Sequence, residues 1–159
     1  MKRAFLLFPS LVFLLCFLSG CGLATRSSGQ SYSAVLPEAA AEQIALDAAA
    51  RLALLYPPGH TALYLHRPEP EKPGAKPALF DGLFENNLRA RGFRIVPEAS
   101  SAGPQVSWTV DALGSVEPTT AASWYLRLSV ADKDGLRLCS RVYDEQGQAQ
   151  GGFADGIVE

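Results

Sequence analysis

The chain has 159 residues, 48% of them hydrophobic, with 14 basic and 16 acidic side chains and a net charge of −2. That length allows one domain with a real core. A slightly acidic balance with no basic cluster excludes an electrostatic grip on nucleic acid, and no apolar stretch reaches the ~20 residues of a membrane-crossing helix.

Lys2 and Arg3 precede an uncharged apolar stretch from Ala4 to Leu18, and small residues close it. A basic start, a short apolar run and a small-residue exit form a secretory signal. The ending, Leu18-Ser19-Gly20-Cys21, resembles the bacterial lipobox, whose cysteine thiol is joined to diacylglycerol before the signal is cleaved and the new amine acylated. Residues 1–20 are therefore expected to be a lipoprotein signal peptide, with Cys21 as the lipid attachment. One acyl chain binds a membrane marginally, whereas two or more hold stably at ~0.8 kcal/mol per buried CH2. Gly22 follows the cysteine, not the aspartate that resembles an inner-membrane retention signal. The expected location is the outer membrane, with the domain facing the periplasm. Cleavage removes Lys2, Arg3 and Cys16, which takes the net charge from −2 to −4. Of the remaining thiols, Cys139 is either a small buried hydrophobe or, in an oxidising compartment, half of an intermolecular disulfide.

Residues 21–34, rich in serine and glycine, read as a flexible tether, and residues 35–159 as a single domain. The first helix is predicted from Pro37 to Leu55: Ala41, Ile44, Ala45, Ala48, Leu52 and Leu55 recur at helical spacing, and Asp47 and Arg51 stand four apart as an ion pair. Tyr56-Pro57-Pro58-Gly59 stops it. A short strand over 61–66 leads into the charged, proline-rich loop 67–77. The second helix spans about 79–91, with Phe80, Leu83, Phe84 and Leu88 as its stripe and Gly92 as its terminator. A strand over 93–96 follows.

Past Pro97 the period becomes two. Val106, Trp108 and Val110 alternate with polar residues, as do Trp124, Leu126, Leu128 and Val130. The turn Asp132-Lys133-Asp134-Gly135 joins the latter run to Leu136, Leu138, Ser140 and Val142 as a hairpin. Arg137, Cys139, Arg141 and Tyr143 then fall on the opposite face, and the glycine-rich tail from Gly147 reads as an irregular arm. The order α-β-α-β-β-β-β gives a two-layer α+β domain, two helices on one face of a mostly antiparallel sheet. The expected seam contains Ile44, Leu52, Phe80, Phe84, Leu88, Trp108, Trp124 and Leu126.

No arrangement of residues points to catalysis. His60 and His66 flank no nucleophile motif, Glu69 and Glu71 sit in a charged loop, and the glycine pair at 151–152 lacks a phosphate-binding continuation. No metal or cofactor is expected beyond the lipid on Cys21. Arg137, Arg141 and Tyr143 combine the residue types that interfaces favour, so their face, or the hairpin edge beside it, is a candidate partner surface. A solvated sheet face is the alternative.

The runs LPEAAAEQIALDAAARLALLYPPGHTALYL and LFDGLFENNLRARGFRIV, with the closing LCSRVYDEQG, resemble the TrbH family of conjugal transfer lipoproteins. The shared features are the lipobox, an alanine-rich helix ending at Tyr-Pro-Pro, and a helix ending Leu-Arg-x-x-Gly before a strand. The resemblance implies a non-enzymatic, accessory part in mating-pair formation within a type IV secretion apparatus. The implied partners are other channel subunits and the membrane, with neither nucleic acid nor a small-molecule substrate. A periplasmic assembly factor or binding lipoprotein unrelated to conjugation is the competing expectation.

Overall fold

The computed structural model describes residues 30–69, 74, 76–99, 103–114 and 123–158. The expected signal peptide, Cys21, most of the expected 21–34 tether and parts of the 67–77 loop lie outside the described residues. Within them the chain forms strand β1 (Tyr32–Ser33), helix α1 (Glu38–Leu55), β2 (Ala62–Leu65), helix α2 (Leu79–Ala90), β3 (Arg94–Val96), β4 (Gln105–Leu113), β5 (Ser123–Asp132), β6 (Gly135–Tyr143) and β7 (Ala154–Val158).

Helix α1 begins after Pro37, whose carbonyl accepts the Ala41 N–H at 2.9 Å, with Glu38 near the positive end of the dipole. Ala40, Ala41, Ile44, Ala45, Ala48, Ala49 and Leu52 are all buried. Alanine on so much of the circumference lets the helix lie close to both the sheet and α2. Helix α2 buries Phe80, Phe84 and Leu88 and ends as expected. Gly92 adopts a left-handed φ of 94°, and the N–H groups of Gly92 and Phe93 bond the carbonyls of Arg89 and Leu88. Those two bonds satisfy carbonyls that the helix end would leave unpaired.

The strands form one sheet in the order β3-β2-β4-β5-β6-β7, with β1 also on β4. It is antiparallel from β4 to β7 and parallel where β1, β2 and β3 join. Strands β1 and β2 share one edge of β4 end to end: β2 is in register with Gln105 and Val106, and β1 with Thr109 and Val110. Both helices cover one face, and the core between the layers contains all eight expected seam residues. The two-layer α+β architecture is thus the predicted one.

Three local expectations are corrected. The tether does not run loose to residue 34: Ser31 is buried and Tyr32 and Ser33 pair with β4. The arm after Gly147 is not irregular throughout, because Ala154–Val158 completes the sheet against β6. Gly147 itself, at φ +82°, would carry a Cβ only 2.7 Å from the Ala40 Cα, so the approach of this segment to α1 needs glycine. Finally, the two faces of β6 are exchanged. Directly paired residues share a face, and Tyr143, Arg141, Cys139 and Arg137 lie opposite Trp124, Leu126, Leu128 and Val130. They therefore face the helices, and Leu136, Leu138, Ser140 and Val142 face outward, half-buried.

Phe84 is fully buried, stacked on Phe80 at 5.5 Å and edge-on to Trp108 at 5.3 Å between ring centroids. Phe84→Ala should destabilise the domain by roughly 3–5 kcal/mol. Chemical denaturation of wild type and variant measures it, and a loss below about 1 kcal/mol would contradict this packing.

Candidate functional site

A cleft of about 650 Å³ opens at one end of the sheet, where the end of α1, the start of β2 and the β5–β6 turn meet. Its wall is held by Asp132. The Tyr56 hydroxyl donates to that carboxylate at 2.5 Å, the Arg137 guanidinium lies 3.8 Å from it, and the hydrogen bond from Tyr56 holds Asp132 below the usual carboxylate range. Burial, reinforced by Asp132, keeps the Tyr56 phenol protonated. His60 and Arg94 also line the cleft. Asp132, Asp134 and Glu98 offset Arg94, Lys133 and Arg137 in number, so the recess has no dominant charge. His66 lies elsewhere, bonded to Gln105 at 3.1 Å, and so is not brought to His60. Among the described residues no three potential ligands converge on a metal position.

The three residues expected to form one partner surface do not form one: Arg137 stands apart from the other two, and Tyr143 is buried. Arg137 belongs to the cleft. Tyr143 is fully buried, and its hydroxyl donates to Asp47 at 2.6 Å. Arg141 bonds the same carboxylate at 2.8 Å and donates through Nε to the Gly151 carbonyl, also at 2.8 Å. Burial raises the Tyr143 pKa, and the hydrogen bond it donates to the Asp47 carboxylate raises it further. Asp47 therefore pairs across the layers with β6 rather than along the helix with Arg51. Arg51 takes Asp155 of β7 instead, at 2.5 Å, and the Phe153 ring stands 5.4 Å from Arg51 and 4.9 Å from Arg141. This cluster fastens the last segment of the chain to α1. Its members carry structure, and a substitution of Tyr143 would report on folding before binding.

Cys139 is buried beside Arg51 and Asp155. Burial pushes its thiol pKa up, which keeps it in the unreactive thiol form. Of the two alternatives for this residue, the structure places it as a small core side chain.

A second polar cluster was not foreseen. Asp81 is buried and accepts from the Ser33 hydroxyl at 2.5 Å and from the Trp108 indole N–H at 3.0 Å. The same indole N–H reaches the Ser33 oxygen at 3.0 Å, and the Trp108 backbone N–H donates to the Ser31 hydroxyl at 3.0 Å. The chain arriving from the N-terminal side is thus clipped to α2 and β4 together. One signal was present in the sequence: Asp81 precedes Phe84 and Leu88 by three and seven residues, which sets a carboxylate on the buried stripe. Cys21, the expected lipid site, lies outside the described residues.

The family model described as "Conjugal transfer protein TrbH" matches residues 24–154. The comparisons with curated proteins and with solved structures found no match.

Burial raises the Asp81 pKa above its ordinary value of 3.8, against the lowering effect of bonds from Ser33, Trp108 and the Ala78 backbone. A raised folded value means that folding takes up a proton. This contribution to stability is full below pH 3.8 and is lost as pH rises through the folded value. Asp81→Asn keeps an oxygen acceptor for Trp108 and Ser33 but carries no charge. The stability of wild type relative to this variant should therefore fall between pH 3 and pH 7. Melting both proteins at the two pH values checks it, and a constant or rising difference would contradict the charge assignment.

Proposed function

The chain belongs to the TrbH family of conjugal transfer proteins, and we propose that it serves there as a lipid-anchored accessory subunit of the mating-pair formation apparatus. In this reading residues 1–20 are removed and Cys21 is acylated. The domain then docks other subunits of the secretion channel from the periplasmic side of the outer membrane. The family match is the observation that carries the reading. The fold supports it, because the segment that follows Cys21 enters the sheet as β1. A pull on the anchor would be borne by Ser31, Ser33, Asp81 and Trp108 instead of by a free tail.

The anchor contributes through concentration. Confining two proteins to one surface raises their effective concentration, so a modest contact suffices to keep them together. The role requires neither a nucleophile nor a cofactor, and the only added group is the covalent lipid.

Mass spectrometry of the mature protein should show an N-terminal Cys21 carrying acyl chains, and Cys21→Ser should leave the outer-membrane fraction and lower conjugal transfer by at least tenfold. An unmodified Cys21 refutes the anchor. Undiminished transfer from a donor lacking the protein, with no channel subunit co-purifying with wild type, would leave a periplasmic lipoprotein unrelated to the channel.

A further inference from the structure

Strand β7 is the last in the sheet order. Its inner side pairs with β6 from Leu136 to Ser140, and among the described residues no strand lies on its outer side. Natural proteins guard such an edge with proline, lysine, a bulge or an inward-pointing charge. The segment just before β7 is guarded in that way: Gly151 and Gly152 interrupt the ladder, Arg141 bonds the Gly151 carbonyl, and Phe153 lies against two arginines. The guard ends there. Residues 154–157 are all exposed, and the strand reads ADGIV without proline or lysine. Its single charge, Asp155, faces the helix side, where Arg51 pairs with it and leaves it half exposed.

The flank of this edge is apolar. Ile157 is 65% exposed and Leu54 on α1 is 79% exposed. From the Arg51–Asp155 pair, α1 runs on to Leu54 and Tyr56, and β7 runs on to Ile157 beside the same β5–β6 turn that Tyr56 bonds. Both side chains therefore extend in one direction from that pair. On the other side of the strand, Ala154 and Gly156 leave room for larger side chains.

We propose that the outer edge of β7 takes an extended segment of another transfer-apparatus protein by strand addition. That segment places an aliphatic side chain against Ile157 and Leu54, and a lysine or arginine two residues away beside Asp155. The charge pattern separates it from a second copy of this chain. Twofold pairing centred on Asp155 opposes two carboxylates, and pairing centred on Gly156 sets each carboxylate opposite an isoleucine. Asp155 is 50% exposed, so an incoming cation can reach it without displacing Arg51. The inference rests on the docking role proposed above and names the surface that performs it.

The test uses the full-length protein in donor cells that carry the whole transfer apparatus, with a photo-crosslinking amino acid in place of Ile157. A control carries it at Leu113, which is 43% exposed at the other end of the sheet. Crosslinking from position 157 and not from 113, to a channel subunit whose linked peptide alternates and holds a basic and an aliphatic residue two apart, is the expected result. In the purified complex the amides of residues 154–158 should exchange at least tenfold more slowly than in the free protein. Leu54→Asp and Ile157→Asp, both at exposed positions, should each lower recovery of that subunit at least tenfold with unchanged melting. A crosslink to a second copy overturns the choice of occupant. A co-purifying subunit that neither crosslinks at 157 nor protects these amides overturns the surface but leaves the docking role. No co-purifying subunit at all overturns both.

Discussion

Trp108 joins three parts of the molecule at one point. Its ring packs on Phe80 and Phe84 of α2, its indole N–H serves both Asp81 and Ser33, and its backbone N–H holds Ser31. A carboxylate buried without donors costs several kcal/mol, so Asp81 is tolerable only while β1 and the indole stay in place. The apolar contacts draw α2 onto the sheet, and the polar ones decide where the N-terminal strand lies. Removing either side of this arrangement leaves the other unsatisfied. That coupling explains how a strand of two residues, Tyr32–Ser33, can be a fixed part of the fold.

A similar division of labour operates at the opposite edge. The Asp47–Arg141–Tyr143 cluster and the Arg51–Asp155 pair bind the C-terminal segment to α1 and set β7 on β6. From β1 to β7 the sheet passes through β4, β5 and β6, four strand spacings or roughly 19 Å. The edge that takes β1 and the edge that no strand covers among the described residues are therefore on opposite sides of the domain. A partner seated on β7 would not meet the N-terminal segment that enters as β1.

Much of this was legible in the sequence, and what was not has a common cause. Both helices follow from their apolar stripes and from stop signals at Pro57-Pro58 and Gly92. The alternation around Trp108 and Trp124 gave the inner faces of β4 and β5. On β6 the same rule selected the wrong face, because leucine and valine at 136, 138 and 142 outweigh Cys139 and Tyr143 by hydrophobicity alone. Register against β5 decides the face, and register is a property of two strands that no single run displays. Arg141 and Tyr143 are acceptable on the helix-facing side only because Asp47, almost a hundred residues earlier, accepts a hydrogen bond from each. Local spacing assigned Asp47 to Arg51 for the same reason. Asp81 was the one cross-layer partner visible locally, as a carboxylate on an apolar stripe. The family likeness carried the functional expectation further than any side chain did, and Cys21 carried the expectation of an anchor.

The most direct test of this account compares two soluble versions of the domain, one beginning at Gln30 and one at Val35. Loss of β1 withdraws Ser31 and Ser33, and leaves Asp81 and the Trp108 backbone short of partners. The shorter protein is predicted to melt at least about 5 °C lower, given a cost of about 1–3 kcal/mol for each buried polar group left unsatisfied. Equal melting temperatures would show that the fold begins after Ala34, and would contradict the claim that the N-terminal segment is built into the sheet.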